Sequence, residues 1–299
     1  GLFGLGLLAA VFWVGIGPPL RLDDLFLYLA LGRLQFSGGI PEIDPFLFTI
    51  ANHQWHPWHE WLSFTYFYGL FDWFGYPGIV FMRGALCSGI TFLVYRNGLR
   101  RSLGPAMSAL IALGALVAAA PRAFHDRSSN FSDLFCVLLL AILFSPVARK
   151  WRWFLPGLFA LWVNVHSSFI FGWFFLGIFI LSKNEERLKW AACGVLCALT
   201  TLLNPMGFEG AAWPVRAVFN PDWGILGKIV EFEPLYTTQS VPATYKIFFA
   251  LFNGLALALS ARPRAWFPLA CTIVLTALSW RYVRMVGLGG FGMGLVLAQ

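Results

Sequence analysis

Long apolar runs separated by short polar segments make up most of this chain, and the pattern predicts a helical membrane protein. Ten apolar runs of helical length follow one another, at about residues 1–17, 77–95, 104–120, 132–147, 153–165, 167–182, 189–203, 244–260, 266–280 and 283–298. Because a helix needs about 20 apolar residues to cross a bilayer, these runs predict about ten crossings in a single all-α transmembrane domain over residues 1–299. The shorter runs 153–165 and 167–182 also suit half-helices whose connection enters the membrane.

Two polar connections are much longer than the others, residues 18–76 and 204–243. The first of them is the richer in residue types that carry chemistry. The chain begins and ends inside apolar runs, so we expect further segments beyond both ends. No internal repeat is visible in the sequence.

Composition also favours a membrane protein over a soluble one. Hydrophobic residues make up 59% of the chain and charged residues 12%, with a mean hydropathy of +0.70, whereas soluble domains carry about 25% charged residues. The net charge of +7 does not indicate a nucleic-acid partner, because membrane proteins gather basic residues beside their helices. The cysteines lie in apolar runs without zinc-binding spacing, which predicts buried thiols at Cys87, Cys136, Cys193, Cys197 and Cys271.

Basic residues predict the orientation of the chain, because cytoplasmic loops of membrane proteins are rich in lysine and arginine. With residues 18–76 placed outside, the only acids of the inner loops are Glu185 and Glu186. The basic residues of those inner loops are Arg96, Arg100, Arg101, Arg149, Lys150, Arg152, Lys183, Arg187, Lys189, Arg262 and Arg264. All five histidines and all other acids then fall on the outer side. We therefore expect any reaction centre to face the outer leaflet, under the two long connections.

The first long connection is predicted to contain surface helices. Residues 23–36 form one, with an aspartate as its cap and "SGG" as its end. "IPEIDPF" is extended because of its two prolines. Pro57 suits the first position of the next helix, which would place His59 and Glu60 in its first turn.

The polar residues of this connection leave several interpretations open. Asp23 and Asp24 exceed what one cap requires, so they either cap a helix in the interface or belong to a site. In "HQWHPWHEW", the histidines are solvated beside a belt of interfacial tryptophans, or they bind zinc, or they share a site with the aspartates. In the third case His56, His59 or Glu60 would surround a divalent cation or a phosphate, and carboxylate oxygens suit Mg²⁺ or Mn²⁺.

Several arginines can supply positive charge to a phosphate, since a guanidinium presents a fork that matches phosphate oxygens. Those near the outer face equally suit anchors that extend to the membrane surface: Arg122, Arg127, Arg281 and Arg284. Arg83 differs, because a charge inside a predicted crossing is costly and indicates function. His166 suits either an interior hydrogen-bonded residue or a member of a site.

The order of features carries a resemblance. A first crossing precedes an acidic pair, an outer loop with a surface helix and many further crossings. The motifs are "DDLFLYLALGRLQFSGGIPEIDPFLFT", "WHPWHEWL", "LWVNVHSSFIFG", "LLNPMGFEG" and "EFEPL". This arrangement resembles the GT-C superfamily of membrane-embedded glycosyltransferases, typified by protein O-mannosyltransferases, aminoarabinose transferases and oligosaccharyltransferase catalytic subunits. It is more closely similar to a group of uncharacterised bacterial multi-pass proteins, over most of the chain and most specifically in the first connection.

The resemblance implies a glycosyltransferase that moves a sugar from a polyprenyl-phosphate donor to an acceptor at the outer face of a bacterial cytoplasmic membrane. It makes Asp24 the best candidate for the carboxylate that serves as general base or metal ligand, with Asp23 and Glu60 as further catalytic candidates. A Mg²⁺ or Mn²⁺ ion would be bound by Asp24, His56 and His59.

The phosphate of such a donor would be bound by residues from several segments, namely Arg83, Arg122, Arg127, His59, His166 and Tyr28. His59 and Glu60 match an H-E pair of the bacterial group, and His166 matches a later histidine. Tyr28 stands where that group has a histidine, and its hydroxyl can donate a hydrogen bond instead.

Other classes of protein remain open. A catalytically silent scaffold or accessory subunit of a larger membrane complex would keep the same helices and expose an apolar surface to other membrane subunits. A transporter would need charges through its crossings and two related halves, and a haem protein would need paired histidines at matching depth; the sequence favours neither. Membrane lipids surround the chain in every case.

Overall fold

A computed structural model describes residues 2–20, 24–39, 43, 46, 60–145, 147–183, 185–219, 230–261 and 266–299. Over these ranges the chain is helical and forms no strand, which confirms the all-α prediction. The helices are α1 (Leu2–Ile16), α2 (Leu25–Gly38), α3 (Trp61–Arg100), α4 (Pro105–Ala123), α5 (Ser129–Leu143), α6 (Ala148–Trp151), α7 (Leu155–Val165), α8 (Phe169–Ser182), α9 (Arg187–Thr200), α10 (Phe208–Phe219), α11 (Ala243–Ser260), α12 (Trp266–Arg281) and α13 (Val286–Leu297). Short 3₁₀ turns occupy Arg152–Phe154, Val230–Phe232 and Val283–Met285.

Three described helices, α3, α4 and α11, are long and apolar enough to cross a membrane. Shorter apolar helices are α1, α5, α8 and the segment Val283–Leu297. The predicted runs therefore correspond closely to observed helices, because an apolar run between polar segments is what a buried or membrane helix requires. The number of about ten crossings stays a prediction.

Helix α13 lies at the centre of the bundle, and every residue from Val286 to Leu297 is buried. Its glycines let neighbouring backbones approach closely, as small residues do between membrane helices. A Cβ added to Gly290 would lie 2.5 Å from the backbone nitrogen of Ala119, and one added to Gly294 would lie 2.3 Å from the Cβ of Ala115. The alanine-rich face of α4 is thus matched to the glycine-rich α13.

Helices α2 and α3 cross closely at the start of α3, where a Cβ on Gly32 would lie 2.2 Å from the carbonyl oxygen of Phe64. Helix α3 begins at Trp61 and changes direction at Gly75, whose φ of 61° is followed by Pro77. The stretch before this kink belongs to the connection 18–76, where a helix was predicted to start near Pro57; the observed helix starts at Trp61 and continues through the kink into the predicted crossing 77–95. Its apolar residues Phe64 and Phe67 pack in a core with α2, which explains the helix.

The second long connection, residues 204–243, also contains a helix, α10. At one end of the bundle, the Nη2 atom of Arg152 lies 3.0 Å from Glu186 Oε2, which joins the connections before α7 and after α8. Arg101 donates a hydrogen bond to the carbonyl of Phe144 at the same end. The connections that carry the predicted site residues meet at the other end.

Candidate functional site

One cluster of polar and charged side chains gathers from connections that are far apart in sequence. We call it the polar cluster, and its members are Asp24, Tyr28, Glu60, Arg122, Arg127, Ser128, His166 and Glu231. They come from the start of α2, the start of α3, the last turn of α4 and the turn that follows it, the turn after α7 and the 3₁₀ turn before α11. Ionisable groups are expensive inside an apolar bundle, so their convergence marks the candidate site.

Glu60 is the N-cap residue of α3, but its carboxylate does not cap the helix. Its Oε2 atom accepts hydrogen bonds from the hydroxyl of Ser128 at 3.1 Å and from that of Tyr28 at 3.3 Å. The two hydroxyls are 3.0 Å apart. The prediction placed Glu60 within the first turn of its helix, whereas it precedes Trp61 and its carboxylate is bound by these two hydroxyls.

His166 lies against the other carboxylate oxygen, with Nε2 at 3.4 Å from Glu60 Oε1. The backbone N–H of Ser168 donates to His166 Nδ1 at 3.1 Å, and the hydroxyl of Ser168 is 2.8 Å from the same nitrogen. Because Nδ1 accepts a backbone hydrogen, the neutral ring carries its own proton on Nε2. That proton faces Glu60.

The protonation of Glu60 is finely balanced. Burial raises the pKa of its carboxyl to about 7, against the opposing effect of hydrogen bonds from Ser128 and Tyr28 and of the positive charge of Arg284. Burial and the nearby charge of Glu60 raise the pKa of Tyr28 well above its usual range, so Tyr28 keeps its proton. A carboxyl that changes charge near neutral pH is suited to proton transfer.

The arginines of the polar cluster are held by carboxylates. Arg127 Nη2 lies 2.8 Å from Asp24 Oδ2, and Arg127 Nη1 contacts Glu231 Oε1. Arg122 Nη1 reaches the same oxygen of Glu231 at 3.0 Å. Asp24 occupies the N-cap position of α2 without capping it, so its carboxylate serves the cluster. Its side chain is 39% exposed, compared with 8% for Arg122, so Asp24 marks the open side of the cluster.

Arg83 was predicted to bind phosphate, and the structure gives it a different environment. Its side chain and that of Asp126 are fully buried and form an ion pair at 2.9 Å. The same guanidinium donates to the carbonyls of Gly15 at 2.9 Å and Pro19 at 3.3 Å, and also to that of Pro18. Arg83 therefore fastens the chain after α1 to the turn after α4.

The histidine-rich stretch bears on the predicted metal site. His53, His56 and His59 lie outside the described residues, and so does Asp23. Within the described ranges, no group of three or more histidine, cysteine, aspartate or glutamate residues is placed to hold a metal ion. The carboxylates of Asp24 and Glu231 are each bound by arginine, and the predicted ligands His56 and His59 are not among the described residues. The Mg²⁺ or Mn²⁺ site stays a prediction.

The side chain of Trp61 makes a hydrogen bond inside the protein. Trp61 was considered a member of an interfacial belt, but its Nε1 donates to Asn164 Oδ1 at 2.6 Å. That amide oxygen also accepts from Asn204 Nδ2 at 3.3 Å, so Trp61 links α3 to the ends of α7 and α9.

All five cysteines are free and buried, as predicted.

The sequence brought forward Asp24, Tyr28, Glu60, Arg122, Arg127 and His166, and the structure places all six together. It gave no role to Ser128 or Glu231. Ser128 directly follows Arg127, and Glu231 begins "EFEPL", one of the motifs of the resemblance. A serine and a glutamate in polar connections are common, and only the folded chain singles these two out.

No family model, curated protein or solved structure matches this chain.

Proposed function

We propose that this protein is a membrane glycosyltransferase of the GT-C kind, which moves a sugar from a polyprenyl-phosphate donor to an acceptor hydroxyl. The observation that carries the proposal is that Glu60, a carboxyl with a pKa near 7, accepts a hydrogen bond from Ser128, the residue next to Arg127, in the same cluster that holds the guanidinium groups of Arg122 and Arg127. An inverting transfer needs a base for the acceptor and positive charge for the departing phosphate.

The general base is Glu60 rather than Asp24. Asp24 is ion-paired with Arg127, which makes its carboxylate a weak base and gives it the task of orienting that arginine. Glu60 takes the proton of the acceptor hydroxyl while the acceptor oxygen bonds to the anomeric carbon. The bond from that carbon to the phosphate oxygen breaks, and the phosphate leaves with the electron pair, stabilised by Arg122 and Arg127. His166 holds Glu60 through its Nε2 proton.

Transfer is tested with the full chain in lipid nanodiscs, supplied with labelled polyprenyl-phosphate mannose, glucose and arabinose in turn. Release of sugar from the lipid is measured with and without Mn²⁺. Glu60→Gln keeps the shape of the side chain and removes the base, so we expect a loss of about 100-fold or more. Glu185→Gln is the matched control, because Glu185 is an exposed acid between α8 and α9, and it should leave the rate unchanged.

A scaffold or accessory subunit is the second candidate, and one observation favours it. The arginines of the polar cluster are already matched by Asp24 and Glu231, as a purely structural ion-pair network would be. Such a protein would release no sugar from any donor, and Glu60→Gln would leave every measured property except stability unchanged. That result would rule out the transferase.

A further inference from the structure

Glu231 holds the arginines of the polar cluster with a single oxygen atom. Arg122 Nη1 and Arg127 Nη1 both contact Glu231 Oε1. Burial alone would raise the pKa of Glu231, but Arg122 and Arg127 outweigh it and hold the pKa below its usual range, with a further contribution from Arg284. The carboxylate is thus an anion bound at the convergence of three arginines.

This carboxylate leaves donors of the two arginines unused. The Nε atoms of Arg122 and Arg127 are buried and have no hydrogen-bond partner in the part of the chain that the structure describes. A carboxylate offers two oxygens, whereas a phosphate group offers three and matches the guanidinium fork at least as well. The arginine pair can therefore satisfy a phosphate better than it satisfies Glu231.

Backbone hydrogen bonds hold the chain in place on the C-terminal side of Glu231. The N–H of Leu235 donates to the carbonyl of Trp280 at 2.9 Å, and the N–H of Val283 donates to the carbonyl of Glu233 at 3.1 Å. The Arg284 guanidinium lies over the ring of Phe232, 4.7 Å from its centroid. The glutamate side chain has rotatable bonds of its own and is 21% exposed, so it can leave the arginines by rotation while the backbone stays in place.

We propose that Glu231 is a built-in competitor for phosphate: its carboxylate occupies the Arg122–Arg127 pair in the resting protein, and a phosphate-bearing ligand displaces it. The identity of that ligand as a polyprenyl phosphate rests on the proposed function, whereas the competition requires only a phosphate group. Replacing one anion by another avoids leaving buried arginines unpaired, which is costly. Return of the carboxylate then speeds release of the phosphate product.

The test compares Glu231→Gln with wild type in phosphate-free maltoside micelles, using the full chain and isothermal titration calorimetry. The probes are a polyprenyl phosphate, inorganic phosphate and the uncharged polyprenol. We expect Glu231→Gln to bind polyprenyl phosphate on the order of tenfold more tightly, because a charge-assisted hydrogen bond no longer has to be broken. Binding of polyprenol should not change.

Glu233→Gln is the matched control, since it removes the same charge two residues away and Glu233 is not among the described ion-pair partners of the two arginines. It should bind like wild type. If Glu231→Gln gains affinity for polyprenyl phosphate alone, the ligand is a lipid. If it gains equal affinity for inorganic phosphate, the ligand is the free anion. Both results support the competition. Equal gains in Glu231→Gln and Glu233→Gln, or no gain in Glu231→Gln, would overturn it.

If Glu231→Gln does not fold, Glu231→Asp tests the competition instead. Its side chain keeps the charge but is one methylene shorter, so contact with both arginines weakens and the affinity for phosphate should rise by a smaller factor. Wild-type affinity in this variant would also overturn the proposal. Tighter phosphate binding without any sugar transfer would leave the competition standing and remove the transferase. Transfer activity without a gain in binding would do the reverse.

Discussion

His166 Nε2 lies 3.4 Å from Glu60 Oε1, which joins the turn after α7 to the N-cap residue of the long helix α3. The contact places a ring proton against a buried carboxyl whose pKa is about 7. Proton transfer at this position depends on both residues. The pH dependence of the transfer rate and of the melting temperature should therefore report it.

The rate of sugar transfer should rise with pH and level off above about 7. Only the ionised carboxylate of Glu60 accepts a proton, and its pKa is about 7. Removing the donor opposite it, in His166→Ala, should move this midpoint upward by roughly one pH unit, because the ionised form loses a hydrogen bond. The initial rate is measured from pH 5 to 9, and a profile that is flat in wild type would contradict Glu60 as the base.

Tyr28→Phe and Ser128→Ala should act in the same direction. Both hydroxyls stabilise the charged form of Glu60, so each substitution raises the pKa of Glu60 and shifts the pH–rate profile to higher pH. Their effects should be less than additive, since the hydroxyls are 3.0 Å apart and share one carboxylate oxygen. Tyr66→Phe, in the early part of α3 and packed against Phe131 outside the polar cluster, is the control.

The contribution of Glu60 to the stability of the fold should fall as pH rises, whereas the rate of sugar transfer should rise. The pKa of Glu60 rises from an ordinary value near 4.5 to about 7 in the folded protein, so folding favours its protonated form. Its favourable contribution is complete below about 4.5 and is lost as pH rises through 7. The melting temperature of Glu60→Gln relative to wild type should therefore increase between pH 5 and 8. A difference that stays constant would show that Glu60 is not titrating there.

Asp126→Asn should destabilise the protein strongly, by roughly 3–5 kcal/mol, because it leaves the fully buried charge of Arg83 without its ion partner. The double variant Arg83→Met with Asp126→Asn should recover part of this loss. Glu209→Gln is the control, since Glu209 and its partner Arg216 are more than half exposed, and such pairs contribute about 1 kcal/mol or less. Thermal unfolding in detergent gives the comparison; equal effects at the two sites would contradict a structural role for Arg83.

Gly294→Ala should disturb the packing of α13 against α4. The added Cβ would lie 2.3 Å from that of Ala115, and overpacking of this kind costs about 1–3 kcal/mol. Gly254 in α11 has no neighbour within 4 Å of an added Cβ, so Gly254→Ala should be neutral or slightly stabilising. Gly254→Ala should therefore melt at a higher temperature than Gly294→Ala. The reverse order would contradict the central position of α13.

The sequence by itself determined the helices, because apolar runs and polar breaks are local and need no partner to be recognised. It also brought forward most of the polar cluster, since charged residues beside apolar helices are few: Asp24, Glu60, Arg122, Arg127 and His166 all stood out. A helix near Pro57 was predicted, but its continuation into the crossing 77–95 was not, because Phe64 and Phe67 become core residues only when α2 packs on them.

Only the tertiary structure decided which charges meet. It paired Arg83 with Asp126 and Asp24 with Arg127, and it brought Glu231 to the two arginines across 109 and 104 residues of sequence. Sequence spacing does not show these contacts, because they depend on which connections come together when the helices pack. The raised pKa of Glu60 has the same origin, since burial is a property of the assembled bundle.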